Sequence, residues 1–154
     1  MRKLLSFLVL FAFAGIASAQ SNKEEIDLVQ SIFGMEKKAL VADFMGLEGP
    51  KADAFWTLYD EYEIERKELG KKRIDLIEQY AANYNSMSAE VADKWMADVI
   101  KLGSSTDKLL VSYYKKIKKA TDPVSALKFW HVESYILNSI RQALTSELPF
   151  VKAK

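Results

Sequence analysis

The run from Pro50 to Tyr84 constrains the fold more than any other part of the chain, because it has the spacing of one unbroken amphipathic helix. Its apolar and aromatic positions recur at steps of three, four or seven, which places on one helical face Phe55, Tyr59, Tyr62, Leu69, Leu76, Tyr80 and Tyr84. Arg66 and Arg73 interrupt that stripe, and we expect the helix to leave the core for solvent at these residues. At about 1.5 Å per residue the run is roughly 50 Å long, so it needs partner helices.

The first 19 residues have the pattern of a secretory signal peptide. A basic pair opens the chain, a nearly unbroken apolar stretch follows over residues 4–16, and small residues fill positions 17–19. A retained membrane anchor is the alternative, but the apolar stretch is short for a bilayer span. We therefore expect cleavage between Ala19 and Gln20, export to the periplasm, no stable membrane insertion afterwards, and one mature domain over residues 20–154.

Composition narrows the kinds of partner and site. The 154-residue chain carries a formal charge of +1, and removal of Arg2 and Lys3 leaves 20 basic and 21 acidic residues. This near-neutral, interspersed surface gives no sign of nucleic-acid binding. Because there is no cysteine, an exported protein of this sequence has to hold itself together without disulfides, by an ordinary apolar core.

Turn signals divide the rest of the mature chain into three further helices. The first has a capping box at Ser21 and Glu24 and ends in the Gly-rich stretch before Pro50. The third begins after Ser88 and includes Gly103–Thr106, a poor helix-forming stretch where we expect local bending. The fourth begins at Asp122-Pro123, a typical N-cap and first helical residue. No segment has the pattern of a strand, so we predict an all-α fold of four main helices in elongated antiparallel hairpins.

Two helix beginnings resemble each other. Pro50 is followed by Phe55-Trp56, and Pro123 is followed by Phe129-Trp130, so that in each case a Phe-Trp pair occupies the second turn. Adjacent helical positions point about 100° apart, and we expect one ring of each pair to fill the core while the other covers the hairpin end. Coincidence in an aromatic-rich helical chain is the alternative.

These two corners make the chain resemble the Spy/CpxP-like, or LTxxQ-motif, proteins of the bacterial periplasm. The first motif copy corresponds to Leu47-Glu48-Gly49-Pro50-Lys51, and the second to Thr121-Asp122-Pro123-Val124-Ser125. Leu47 matches the motif, Asp122 takes the capping role of its Thr, and both final Gln positions differ. The resemblance implies an exported all-helical protein, a curved homodimer, and binding of unfolded or envelope proteins without ATP.

We expect neither catalysis nor a bound metal or cofactor. His131 is the only histidine, no nucleophile motif accompanies it, and Glu133 lies on a different helical face. Transition-metal sites rely on His and Cys, whereas the four methionines after residue 20 are dispersed and are expected to fill the core. The chain also lacks a phosphate-binding loop for a nucleotide.

The expected function is therefore binding. The leading hypothesis is an ATP-independent chaperone, a holdase that covers apolar segments of unfolded clients; the alternative is a regulatory or sensory protein that binds one envelope signalling partner. Tyrosine presents an apolar ring with a polar tip, which suits weak and adaptable contacts. The candidate client-binding aromatics are Tyr59, Tyr62, Tyr80, Tyr84, Tyr113 and Tyr114. Along the long helix we expect surface pairs of Glu63 with Lys67 and of Glu68 with Lys72.

Overall fold

A computed structural model describes residues 33–146 and 148–151, and within these ranges the chain is all-α, as predicted, with no strand. Four helices follow one another: α1 over residues 33–45, α2 over Gly49–Asn83, α3 over Ala89–Ala120 and α4 over Pro123–Ser146. The predicted signal peptide, its cleavage site at Ala19 and Gln20, and the predicted capping box at Ser21 lie outside the described residues.

Helix α2 is the unbroken 35-residue helix that its spacing predicts. The loop before it turns through Gly46 and Gly49, whose φ angles of 55° and 60° lie in the left-handed region that only glycine adopts without strain. Pro50 follows in the first turn of the helix, where its missing N–H removes a donor that has no intrahelical partner. The loop reverses the chain, so α1 and α2 form the first antiparallel hairpin.

Helix α3 begins after Ser88, whose Oγ accepts from the amide of Val91 at 3.3 Å, as the sequence predicts. It runs through residues 103–106 as continuous helix, without a break. The Oγ1 of Thr106 donates to the carbonyl of Leu102 at 2.9 Å, and Ser105 bonds Lys101 in the same way. Such bonds to the carbonyl four residues earlier satisfy the hydroxyls within the helix and often bend it slightly.

Asp122 caps α4 as predicted. Its Oδ1 accepts from the amides of Val124 and Ser125, each at 2.9 Å, and its Oδ2 accepts from the Ser125 hydroxyl at 3.0 Å. Pro123 occupies the first helical position. The short 121–122 connection therefore turns the chain sharply back along α3.

Cross-helix contacts fix the direction of every helix. They are Lys37–Glu63 and Lys38–Asp60 between α1 and α2, Trp95–Leu76 and Tyr113–Glu65 between α2 and α3, Tyr114–Trp130 between α3 and α4, and Phe55–Phe129 and Tyr62–Glu133 between α2 and α4. Neighbours in sequence run antiparallel, while α2 and α4 run parallel. The described chain is an up-down-up-down arrangement of helices.

The bundle is thick at one end and thin at the other. We call the end where α1 stops and α2 and α4 begin the corner end; there all four helices contribute buried side chains. We call residues 76–102, the end of α2 and the start of α3, the hairpin tip. Beyond Arg66 only Leu76 of α2 is buried, and α3 has no buried residue before Leu102. None of the described helices is both long and apolar enough to cross a membrane.

Candidate functional site

The fold brings the two corners together. The Nζ of Lys51, one residue after Pro50, lies 2.9 Å from Oδ2 of Asp122, the cap of α4. Behind this exposed pair, the rings of Phe55 and Phe129 meet edge to face with their centroids 6.3 Å apart. Lys51 and Asp122 are 71 positions apart in the chain, yet the motif-equivalent residues of the two corners form one continuous region.

In each Phe-Trp pair one ring is buried and the other lies at the surface, as the sequence predicts. Phe55 and Phe129 are fully buried, whereas Trp56 and Trp130 are half-buried at the surface of the bundle. The Lys38 ammonium lies 5.2 Å from the ring centroid of Trp56, a cation–π distance. Leu47, the remaining apolar motif residue, is half-buried against the core, and Pro50 and Pro123 are exposed.

Beneath the corners lies a group of charged side chains, which we call the ionic cluster: Lys37, Glu63, Arg66 and Glu133. Glu133 is fully buried, and its carboxylate accepts from Lys37 Nζ at 2.8 Å, from the Tyr62 hydroxyl at 2.8 Å and from the Tyr59 hydroxyl at 3.1 Å. Such complete hydrogen bonding is what a carboxylate needs when it leaves water.

Glu63 completes the cluster. Its carboxylate accepts from Lys37 Nζ at 2.5 Å and from Arg66 in a fork, Nε at 2.7 Å and Nη2 at 3.1 Å. Lys37 thus bridges two carboxylates, and its ammonium also lies 5.4 Å from the ring centroid of Tyr62. Two cations and two anions cancel, so α1 is held to α2 and α4 without a net buried charge.

The protonation states follow from these contacts. Burial raises the pKa of Glu63, but the charges of Lys37 and Arg66 outweigh burial, and the pKa lies below its ordinary value. Burial, reinforced by Glu133, raises the pKa of Tyr59 and of Tyr62 well above the ordinary tyrosine value. Glu63 is therefore an anion and both tyrosines are neutral donors over the physiological pH range.

The expectation that α2 leaves the core at its two stripe arginines is wrong for Arg66. Arg66 is buried, with only 8% of its surface exposed, because Glu63 neutralises it and its guanidinium lies 5.9 Å from the ring centroid of Phe33. Arg73 is half-buried, and burial together with the charge of Arg141 lowers its pKa. Glu63 lies three residues before Arg66 on α2, whereas Phe33 belongs to α1, and periodicity within α2 gives no sign of that second contact.

The predicted surface pairs of α2 are also replaced. Glu63 turns inward to Lys37 and Arg66 and makes no ion pair with Lys67 among the described residues. Glu68 lies 3.6 Å from Lys71 and does not pair with Lys72 in the described chain. Of these two acidic residues, Glu63 is therefore part of the interior and Glu68 lies on the surface.

Three of the six candidate client-binding tyrosines are core residues. Tyr59, Tyr62 and Tyr113 are at most 2% exposed. Tyr62 meets Tyr113 edge to face at 5.5 Å, and the Tyr113 hydroxyl donates to Glu65 at 2.7 Å. Four helices meet around these rings and bury them.

The other three, Tyr80, Tyr84 and Tyr114, are half-buried. At the hairpin tip Tyr80 stacks on Tyr84 at 6.4 Å and lies 5.0 Å from Trp95, whose Nε1 donates to the carbonyl of Leu76 at 2.8 Å. The Tyr80 hydroxyl donates to the carbonyl of Pro149 at 2.6 Å. These rings hold the end of the hairpin together and leave their edges in solvent.

A line of exposed apolar side chains lies on the outer side of α4, where the sequence had not predicted one. Val124, Leu127 and Tyr135 are 66%, 58% and 54% exposed, and His131, also exposed, lies between them. We call these four residues the α4 ridge. Their spacing of three, four and four places them along one line of the helix, opposite the buried Phe129 and Glu133. That spacing was the available signal.

The described residues contain no group of three or more His, Cys, Asp or Glu side chains that could hold a metal ion. His131 is exposed while Glu133 is buried, so the two point in different directions as expected. The methionines do not all fill the core: Met45 is buried, but Met35 and Met96 are 66% and 46% exposed. Comparison with family models, with curated proteins and with solved structures gives no match for this chain.

Proposed function

We propose that this protein is a non-enzymatic binding protein of the bacterial cell envelope, a Spy/CpxP-like holdase that transiently covers apolar segments of unfolded clients without ATP. The observation that carries the proposal is the α4 ridge, in which three large apolar side chains stay more than half exposed on a single helical line. Contiguous exposed apolar side chains on a folded surface are a feature of interaction sites.

The setting of the α4 ridge supports weak and repeated binding. The opposite side of the same helix is fixed in the core by Phe129 and Glu133, so the exposed side chains are presented on a rigid support. The ridge is one side chain wide, and Tyr135 and His131 add polar groups to it. A narrow mixed surface buries little area on a client, which favours rapid release.

The buried charges support a role without catalysis. Lys37, Glu63, Arg66 and Glu133 satisfy one another inside the bundle, so none of them is presented to a substrate. His131 is solvent-exposed and makes no hydrogen bond to another described residue. A general acid or base requires a positioned partner, and the described surface around His131 supplies none.

The test is aggregation of a chemically denatured client after dilution, followed by light scattering with and without the purified protein. We expect suppression at a few-fold molar excess without nucleotide, and a loss of most of that suppression in a Leu127→Ser, Tyr135→Ser variant. The matched control is Ile64→Ser with Ile100→Ser, which removes two apolar residues outside the ridge that are 68% and 65% exposed. Equal activity of the two variants, or no suppression at all, would overturn the holdase.

A second candidate is the regulatory protein that binds one envelope signalling partner. The observation in its favour is the burial of Tyr59, Tyr62 and Tyr113, which leaves a small defined apolar surface in place of a broad aromatic one. Affinity capture from envelope extracts distinguishes the two. One stoichiometric partner that is lost in the ridge variant, with no protection of clients, would favour the regulator.

Homodimerisation belongs to the same proposal and is checked by sedimentation equilibrium of the native protein and of the ridge variant. A dimer that dissociates in the ridge variant would mean that the α4 ridge binds a second copy, and would count against its use for clients.

A further inference from the structure

Helix α3 carries a straight line of lysines on its outer side. Lys94, Lys101, Lys108 and Lys115 recur at every seventh residue, and all four are exposed. Seven residues are about two turns, so successive members are about 10.5 Å apart along the axis and drift by only about 20° around it. We call these four residues the lysine row; it extends over about 31 Å.

The row stands opposite the buried side of α3, which consists of Leu102, Thr106, Leu110, Tyr113 and Ile117. Over Ala89–Ala120 the helix has seven lysines and four acidic residues, a net charge of +3. The whole chain carries +1, so all other residues together carry −2. Positive charge is therefore concentrated on one helix of an otherwise acidic protein.

None of the four row lysines makes an ion pair with any residue in the described ranges, whereas Lys37, Lys38, Lys51 and Lys71 all do. The helix dipole accounts for Lys118 and Lys119 in the last turn, and Lys116 lies over the ring of Tyr113 at 4.0 Å. Neither reason applies to the first three members of the row, which lie well before the last turn. Their charges are left to the solvent or to a partner.

The geometry of the row selects the kind of anion. A single phosphate or carboxylate is bound by donors that converge on it, and neighbouring row lysines are two turns apart. Between Lys108 and Lys115 the surface is an open depression bordered by small side chains such as Ser104 and Ser112, with Asp107 as its acidic member. The charges of the lysine row are evenly spaced along an open helix surface. They match a flat surface whose negative charges are spread out, because no lysine has to meet one particular anion.

We infer that the lysine row docks this protein, with α3 lying flat and without insertion, on the surface of a bilayer rich in anionic phospholipids. Each lysine near such a surface strengthens binding about fivefold, and the attraction is screened within a Debye length. Four in line provide a reversible attachment that disappears as salt is raised. This inference is independent of client binding, because the α4 ridge contributes nothing to it.

The experiment is co-sedimentation of the purified native protein with vesicles of phosphatidylcholine alone, or of phosphatidylcholine with about a third phosphatidylglycerol, at low and high salt. We expect binding to the anionic vesicles at low salt, with little binding to the neutral vesicles. A variant with Lys94, Lys101, Lys108 and Lys115 each changed to Gln should lower the partition coefficient at least about a hundredfold.

The control has the same net charge: Lys38, Lys51, Lys72 and Lys118 each changed to Gln, all exposed lysines outside the row. It should retain most of the binding. Equal binding to neutral and anionic vesicles, equal losses in the two variants, or no binding by the native protein would each overturn the inference. Binding of soluble polyglutamate through the row, with no binding to vesicles, would also overturn it and would point to an acidic protein partner.

Discussion

The aromatic stripe of α2 meets two different environments along one helix. In its first half, Phe55, Tyr59 and Tyr62 are at most 1% exposed and touch Phe129 of α4. In its second half, Tyr80 and Tyr84 are only half-buried, against Trp95 and the chain end near Pro149. The same periodicity therefore produces buried core residues at the corner end and half-buried residues at the hairpin tip. The number of helices around the stripe determines how far its side chains are buried.

The difference also determines where polar groups are tolerated. At the corner end the tyrosine hydroxyls are buried and donate to Glu133, which in turn requires Lys37. At the hairpin tip the Tyr80 hydroxyl reaches a backbone carbonyl in an exposed position. At the corner end the packing is dense, so each buried polar group needs its partner for the fold to be stable. At the hairpin tip the polar groups are exposed, so the loss of one contact costs less.

The largest expected effect is on apolar packing at the corner end. Phe129→Ala should lower the free energy of unfolding by about 3–5 kcal/mol, because it leaves a cavity among the rings of Phe55, Tyr59 and Tyr62. Tyr84→Ala, the comparison at the hairpin tip, should cost about 1 kcal/mol because the ring is already partly in water. Urea denaturation of both variants measures the two decreases in the free energy of unfolding. Similar decreases would show that the corner end and the hairpin tip are packed alike.

The next effect concerns the ionic cluster. Glu133→Gln should destabilise the protein by about 3 kcal/mol, since it leaves the cluster with two cations and one anion inside the bundle. Glu68→Gln removes an exposed carboxylate that pairs with Lys71 and should cost less than about 1 kcal/mol. Chemical denaturation at neutral pH gives both values. A loss for Glu133→Gln no larger than that for Glu68→Gln would show that the cluster contributes little.

Acid should affect the corner end through Glu63. Its folded-state pKa is below its ordinary value of 4.5, so its stabilising contribution is present above that pH and is lost as pH falls through the folded-state pKa. The free energy of unfolding should decline below about pH 4.5, and the decline should be shallower in Glu63→Gln. Denaturation curves collected over this range test it; an unchanged slope would assign the acid sensitivity to other carboxylates.

The smallest expected effect is at the hairpin tip. Trp95→Phe keeps the ring contact with Tyr80 but removes the donor to the carbonyl of Leu76, and should cost about 1 kcal/mol or less. Amide hydrogen exchange should show faster opening of residues near Leu76 and Trp95, while the amides around Phe129 stay protected. If amides throughout the bundle of the variant exchange faster than in the native protein, the two ends unfold as one unit. The difference in stability between the two ends would then be refuted.

Local signals were sufficient for much of the fold. The caps at Ser88 and Asp122, the prolines at 50 and 123, and the period of α2 predicted the helix boundaries, because each depends on neighbours within a few residues. Helical geometry alone predicted that one ring of each Phe-Trp pair fills the core, but it did not say which one.

The ionic cluster was not predictable in the same way. Lys37 and Glu133 are 96 positions apart, and nothing in either segment indicates that they meet. Arg66 was expected in solvent because its charge was considered alone, whereas Glu63, three residues before it, neutralises the guanidinium and Phe33 of α1 lies over it. The α4 ridge, by contrast, has a regular spacing at 124, 127, 131 and 135, but His131 interrupts its apolar residues, and the same helix also has an internal apolar stripe.

The position of Glu133 on the last helix has a consequence for the order in which the protein assembles. Until α4 docks, Glu133 is missing from the ionic cluster, and Lys37, Glu63 and Arg66 carry a net positive charge. Burying that charge is unfavourable, so we do not expect the first three helices to close the interior by themselves. Contacts this far apart in the chain carry a high loop-closure entropy and slow the search for the native state. We therefore expect the ionic cluster to form late in folding, after α4 has docked.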